Sequence, residues 1–179
     1  MNKKDILIVL ALVIVALGFW FFQINKPNTP VASNVSFDPL NTTYTIDGAS
    51  VTLVNGKAEE EVLGESPTKI TTEIFGEPTL GDLNADGRKD AAIILVDEPG
   101  GSGTFYYVAV ALNLPSGTKG TNAFLLGDRI TPQTLEIRNG EVIANYADRK
   151  PGEPMAAQPS IGVSKYLKIN GTSLEEVKN

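Results

Sequence analysis

Ala91 to Val96 reads AAIILV, and Thr104 to Leu112 reads TFYYVAVAL. Neither run alternates apolar with polar residues, so neither leaves a face for water. Both are rich in β-branched or aromatic residues and are short for helices. Strands of this kind belong in the middle of a sheet covered on both sides. Asp97 to Gly103 joins them and holds Gly100-Gly101-Ser102-Gly103, which reads as a flexible hairpin loop.

Outward from this pair the pattern is of short β segments and tight turns. Lys69 to Phe75 alternates, with Ile70, Thr72 and Ile74 on one side. Upstream, Tyr44 and Ile46 precede Asp47-Gly48, and Val51 and Leu53 lead to Asn55-Gly56 and then Lys57 to Val62. Downstream, Asn139-Gly140 separates Glu136-Ile137 from Val142-Ile143, and Asn170-Gly171 follows Tyr166 to Ile169. Such Asx-Gly pairs suit the positive φ angles of hairpin turns. Ala123 to Leu126 is the one stretch here compatible with a short turn of helix. The pattern predicts a mainly β, antiparallel domain over 42–179 with about eight or nine strands, as a sandwich or a half-open barrel. No internal repeat suggests a propeller. Asp148 to Ser160 (DRKPGEPMAAQPS) carries Pro151, Pro154 and Pro159 and reads as a long loop, either functional or a surface crossover.

The N-terminus is different in kind. Ile6 to Phe22 (ILIVLALVIVALGFWFF) is apolar on every face. At about 1.5 Å per residue it spans roughly 26 Å, close to a hydrocarbon core of about 30 Å. Trp20, Phe21 and Phe22 sit at its far end, where aromatic rings favour the interface. Lys3 and Lys4 precede it, which predicts a cytoplasmic N-terminus and a single-pass anchor (1–24) in the cell membrane, with the remainder extracytoplasmic. The rival is a cleaved signal peptide, whose first suitable site, near Ala32 and Ser33, lies far from the apolar core. Residues 25–41, with Pro27, Pro30 and Pro39, read as a linker.

Composition narrows the chemistry. The chain has no cysteine and no histidine, which excludes disulfides, thiolate or imidazole metal sites, and Ser-His-Asp or Cys-His catalysis. Setting aside Lys3, Lys4, Asp5 and Lys26 leaves 12 basic and 20 acidic residues, a charge of −8. So acidic a domain repels phosphate backbones, and nucleic acid is not expected as a partner.

One loop carries a recognisable donor pattern: Asp82-Leu-Asn84-Ala-Asp86-Gly87-Arg88-Lys-Asp90. Side-chain oxygens fall at positions one, three, five and nine, and glycine at six permits a sharp turn. Ca²⁺ takes six to eight oxygen ligands at about 2.3–2.6 Å. The expected ligands are the side chains of Asp82, Asn84, Asp86 and Asp90 with the backbone carbonyl of Arg88, holding a structural Ca²⁺. The alternative is an Asx-rich turn that starts a strand.

The loop resembles the first nine residues of an EF-hand loop, but Ile93 stands where the closing glutamate would be and a strand follows instead of a helix. It is closer to the short Asp-rich loops of FG-GAP and VCBS-type extracellular β proteins, which implies side-chain ligation by Asp82, Asn84, Asp86 and Asp90. The order GDLNADGRKDAA, GGSGTFYYVAVALN, LGDRI (126–130) and PGEPM resembles envelope lipoproteins of the LppP/LprE type, without their lipid-bearing cysteine. That resemblance implies export and brings no activity.

Other features are less specific. The GGSG stretch lacks the Gly-Lys-Ser/Thr of a phosphate loop. Tyr106 and Tyr107 should face opposite sides of a strand, and Asp128 and Arg129 are placed to pair. Glu59, Glu60 and Glu61 read as a solvated face. The expectation is a membrane-anchored binding or structural module, whose partner is an envelope protein or a glycan. The alternative is a carboxylate-dependent glycan hydrolase, which needs two acids about 5–9.5 Å apart in one cleft.

Overall fold

The computed structural model describes Asn2 and residues 36–61 and 69–177. The chain divides into two units between Asn34 and Val35. The expected anchor and the linker up to residue 35 lie outside the described residues, apart from Asn2. Among the described residues no helix is long and apolar enough to cross a membrane. The second unit is built of β-strands and contains no described helix.

Twelve strands are described: β1 (Thr43–Ile46), β2 (Ala49–Thr52), β3 (Lys57–Glu61), β4 (Lys69–Gly81), β5 (Asp90–Glu98), β6 (Phe105–Leu114), β7 (Gly117–Gly120), β8 (Phe124–Asp128), β9 (Thr131–Arg138), β10 (Glu141–Asp148), β11 (Ile161–Asn170) and β12 (Ser173–Glu176). They form a β1–β2 hairpin, a sheet ordered β3-β4-β5-β6-β7 with β8 also on β6, and a sheet ordered β12-β11-β10-β9. Every strand ladder is antiparallel.

The two apolar runs, Ala91 to Val96 and Thr104 to Leu112, are the middle of the larger sheet. β5 and β6 pair from Ala91↔Ala111 to Asp97↔Phe105, and their alternate residues feed two separate cores. Ala92, Val108, Val110 and Leu112 pack with Val142, Ala144, Tyr146, Leu167 and Leu174 of the four-stranded sheet. Ala91, Ile93, Leu95, Tyr107, Ala109 and Ala111 pack on the other side with Tyr44, Ile46 and Leu53 of the hairpin region. Tyr106 and Tyr107 fall into different cores, as strand alternation requires. Each fully buried aliphatic side chain contributes roughly 1.5–3 kcal/mol, so this doubly covered pair dominates the stability. On the outer face of the four-stranded sheet, Asn145 donates to Thr134 at 2.7 Å and accepts from Ser164 at 2.6 Å.

Local chemistry fixes the connections. Asp47-Gly48, Asn55-Gly56 and Asn139-Gly140 all have positive φ at both residues, as two-residue hairpin turns demand. β4 runs past Phe75 to Gly81, with a register break between Phe75 and Thr79. Pro78 in that break has no N–H for the ladder, and Gly76 takes φ +73°. The hairpin lies close against the large sheet because Gly120 lacks a side chain; a Cβ there would collide with the Thr43 carbonyl.

Two expectations need revision. Ala123–Leu126 forms no helical turn: Phe124 and Leu125 begin β8, paired with Val108 and Tyr107. The exposed edge of β6 needs backbone partners, and that pairing overrides a weak local preference. The end of the expected linker is also bound to the domain. Asp38 N donates to Thr118 Oγ1 at 2.8 Å, Tyr44 donates to the Pro39 carbonyl at 2.8 Å, and Phe37 packs on the hairpin-side core.

Asn122 ties the layers together. The residues on either side of it bond Thr45 of the hairpin, Thr121 accepting from Thr45 N at 3.1 Å and Ala123 N donating to the Thr45 carbonyl at 2.7 Å, while its own side-chain amide donates to the Leu174 carbonyl at 3.0 Å and accepts from Leu174 N at 2.8 Å.

Candidate metal-binding turn

Between β4 and β5 the chain must reverse over residues 82–89, and its side chains supply the partners its backbone lacks. Asp82 accepts from the amides of Asp86 (3.2 Å) and Gly87 (2.9 Å). The Asn84 oxygen shares the Asp86 amide at 3.1 Å, and the Asn84 amide group donates to Asp86 Oδ2 at 2.9 Å. Asp86 Oδ1 accepts from Arg88 N at 2.8 Å. Ala85 and Gly87 both have positive φ, at 60° and 81°. No neighbour would touch a Cβ on Gly87, so glycine is favoured there by backbone conformation alone.

Asp82, Asn84 and Asp86 are thus brought together on one turn. Arg88 folds back over it, its guanidinium 2.6 Å from Asp86 Oδ2 and its Nε donating to the Asn113 carbonyl. The Asp86 carboxyl is held below the usual carboxylate range, first by the Arg88 backbone amide and, after the opposing effect of burial, by the Asn84 side chain and the Arg88 guanidinium.

Asp90 is placed differently. It is fully buried, and its two oxygens accept from Leu83 N and Asn113 N, each at 2.9 Å. It faces the protein and ties both ends of the turn to the end of β6, while Leu83 enters the core above it. Sequence spacing did not reveal Asn113, which lies on another strand; only the pairing of β5 with β6 brings it here.

The donors that converge are hard oxygens, as Ca²⁺ requires. An ionised carboxylate has about four acceptor sites. Asp82 uses two of them and Asp86 three, so both retain capacity for a cation. Asn84 supplies an amide oxygen in place of a third acid. Among the described residues no group of three Asp, Glu, His or Cys side chains converges as metal ligands would.

The opposite end of β5 and β6 is organised by a cation. Arg149 donates to the carbonyls of Ala157 (2.7 Å), Arg129 (3.0 Å) and Asp128 (3.3 Å). Asp128 pairs with Arg129 at 2.8 Å and accepts from Thr104 N at 3.0 Å. Thr104, Asp128-Arg129 and the 149–160 loop, scattered in sequence, therefore meet in one network.

No family model matches this chain, and no curated protein or solved structure is significantly similar to it. The functional reading rests on geometry and on the sequence pattern.

Proposed function

We propose that this chain is a membrane-tethered, extracytoplasmic binding or structural module, stabilised by one Ca²⁺ on the Asp82–Arg88 turn. The convergence of Asp82, Asn84 and Asp86 oxygens on a glycine-containing turn is the observation that carries the reading. In it, those three side chains and the Arg88 carbonyl hold the ion, and the Arg88 guanidinium leaves Asp86 when the ion arrives. Asp90, expected as a further ligand, acts from beneath by holding the turn on β6. The hydrophobic segment 6–22 supplies the tether, and an envelope protein or a glycan is the partner.

The test is thermal unfolding of the full chain in neutral detergent, with Ca²⁺ at about 10 mM or with chelator. For a dissociation constant of about 0.1–1 mM the ion adds roughly 1.4–2.7 kcal/mol, a rise of several degrees. Asp86→Ala abolishes the rise. Identical unfolding with and without Ca²⁺ in the unsubstituted chain rejects the calcium part of the reading.

A further inference from the structure

A cavity of about 530 Å³ lies between the β1–β2 hairpin and the β3–β5 part of the larger sheet. It sits by Asp97 and Pro99, at the end of β5 remote from the Asp82–Asp90 turn, so it is a separate site. Ile46 and Val51 line it from the hairpin and Ile70 from β4. Carboxylates stand on both walls: Asp47 on the hairpin turn, Glu60 on β3 and Asp97 on β5. Pockets for small ligands are usually about 300–1,000 Å³ and mostly apolar, with a few placed polar groups.

Among the described residues none of these three acids is paired with a cation. Asp47 accepts from the Tyr107 hydroxyl at 2.8 Å, and Asp97 from the Thr72 hydroxyl at 2.7 Å; both donors are neutral. Among the described residues Glu60 has no hydrogen-bond or ion-pair partner. Lys57 on the edge strand β3 and Lys69 on its neighbour β4 both pair with Glu59, a fourth acid of the lining, at 2.7 and 3.1 Å. The acids do not converge on one point as metal ligands would. An apolar chamber ringed by separated negative groups matches a ligand that is itself apolar in the middle and positive at both ends.

We propose that this cavity binds a small organic dication, an apolar stem with a primary ammonium at each end. Glu60 receives one ammonium and Asp97 the other, and Ile46, Val51 and Ile70 contact the stem.

The experiment is isothermal titration of the full chain, in neutral detergent, with the alkyl diamine cadaverine. Saturable binding is expected, with a dissociation constant of about 1 mM or tighter. Glu60→Gln removes an exposed charge that has no side-chain partner among the described residues, and Asp97→Asn keeps an acceptor for Thr72, so both variants should fold. Each is expected to weaken binding about tenfold, equivalent to ~1.4 kcal/mol. Pentanediol, which has the same stem without the charge, should not bind, and Glu175→Gln, at an exposed position of β12 in the other sheet, should leave cadaverine affinity unchanged. No saturable cadaverine binding, equal binding of the diol, or an affinity unmoved by both pocket substitutions overturns the proposal.

Discussion

The two ends of the β5–β6 pair solve the same problem with opposite charges. At one end the Asp82–Asp90 turn presents backbone amides, and carboxylates collect them: Asp82, Asp86 and Asp90 together accept from five backbone N–H groups. At the other end the loops present carbonyls, and the Arg149 guanidinium collects three of them. A carboxylate can only accept when ionised and a guanidinium can only donate, so the choice of side chain follows from which half of the peptide group each loop leaves unpaired. The difference has a functional consequence. A turn closed by acids keeps acceptor capacity for a cation, whereas a loop cluster closed by arginine leaves no such capacity on its organising side chain.

The strongest way to break this comparison is at Asp90. Asp90→Ala strands the buried Leu83 amide and the partly buried Asn113 amide. Each orphaned buried donor costs roughly 1–3 kcal/mol, so a loss of about 2–5 kcal/mol is expected by denaturant unfolding. Asp90→Asn keeps one acceptor and should recover about half of it. A loss below about 1 kcal/mol for the alanine variant would show that the turn does not depend on this strut.

Arg149 tests the other end and should matter less, because its side chain is only half-buried. Arg149→Ala removes three carbonyl contacts whose acceptors water can partly replace; about 1–3 kcal/mol is expected. Arg149→Lys should not rescue it, since one ammonium cannot reproduce a planar fork that reaches Ala157, Asp128 and Arg129 together. Proteolysis should then open the 149–160 loop before any other described segment. Full rescue by lysine would mean that charge, not geometry, organises this end.

How far the sequence discloses these features depends on whether their determinants are local. β5 and β6 are legible because burial on both faces writes itself as an uninterrupted apolar run. The hairpin turns are legible because positive φ selects Asx-Gly. β8 is not, because Phe124–Asp128 becomes a strand by pairing with a distant edge. The same division runs through the candidate site. Asp82, Asn84, Asp86 and Gly87 form a turn by contacts among themselves, so their spacing carries the information. Asp90 fits the same spacing, yet it is the first residue of β5 and its direction is set by the register against Gly81 and β6. Its partner Asn113 leaves no mark near it. Asp128 and Arg129 pair as neighbours, but that Arg149 joins them depends on where β10 ends.

The smallest expected effect separates the two ends by the origin of their acidity. Asp86 and Asp128 both have carboxyls held below the usual range, so each supports the fold above the unfolded value of about 3.9 and loses that support as pH falls through its lower folded value. Both are partly open to solvent, so acid unfolding will register them weakly. Titration of the side-chain carboxyl carbons by NMR reads them directly. The main cause at Asp128 is the Arg129 side chain, and Arg129→Ala removes it. The main cause at Asp86 is the Arg88 backbone amide, which survives in Arg88→Ala. The midpoint of Asp128 should therefore rise more in Arg129→Ala than that of Asp86 does in Arg88→Ala. If the rises are equal, or larger at Asp86, the turn is held by the arginine's charge instead of its own amides, and the contrast between the two ends fails.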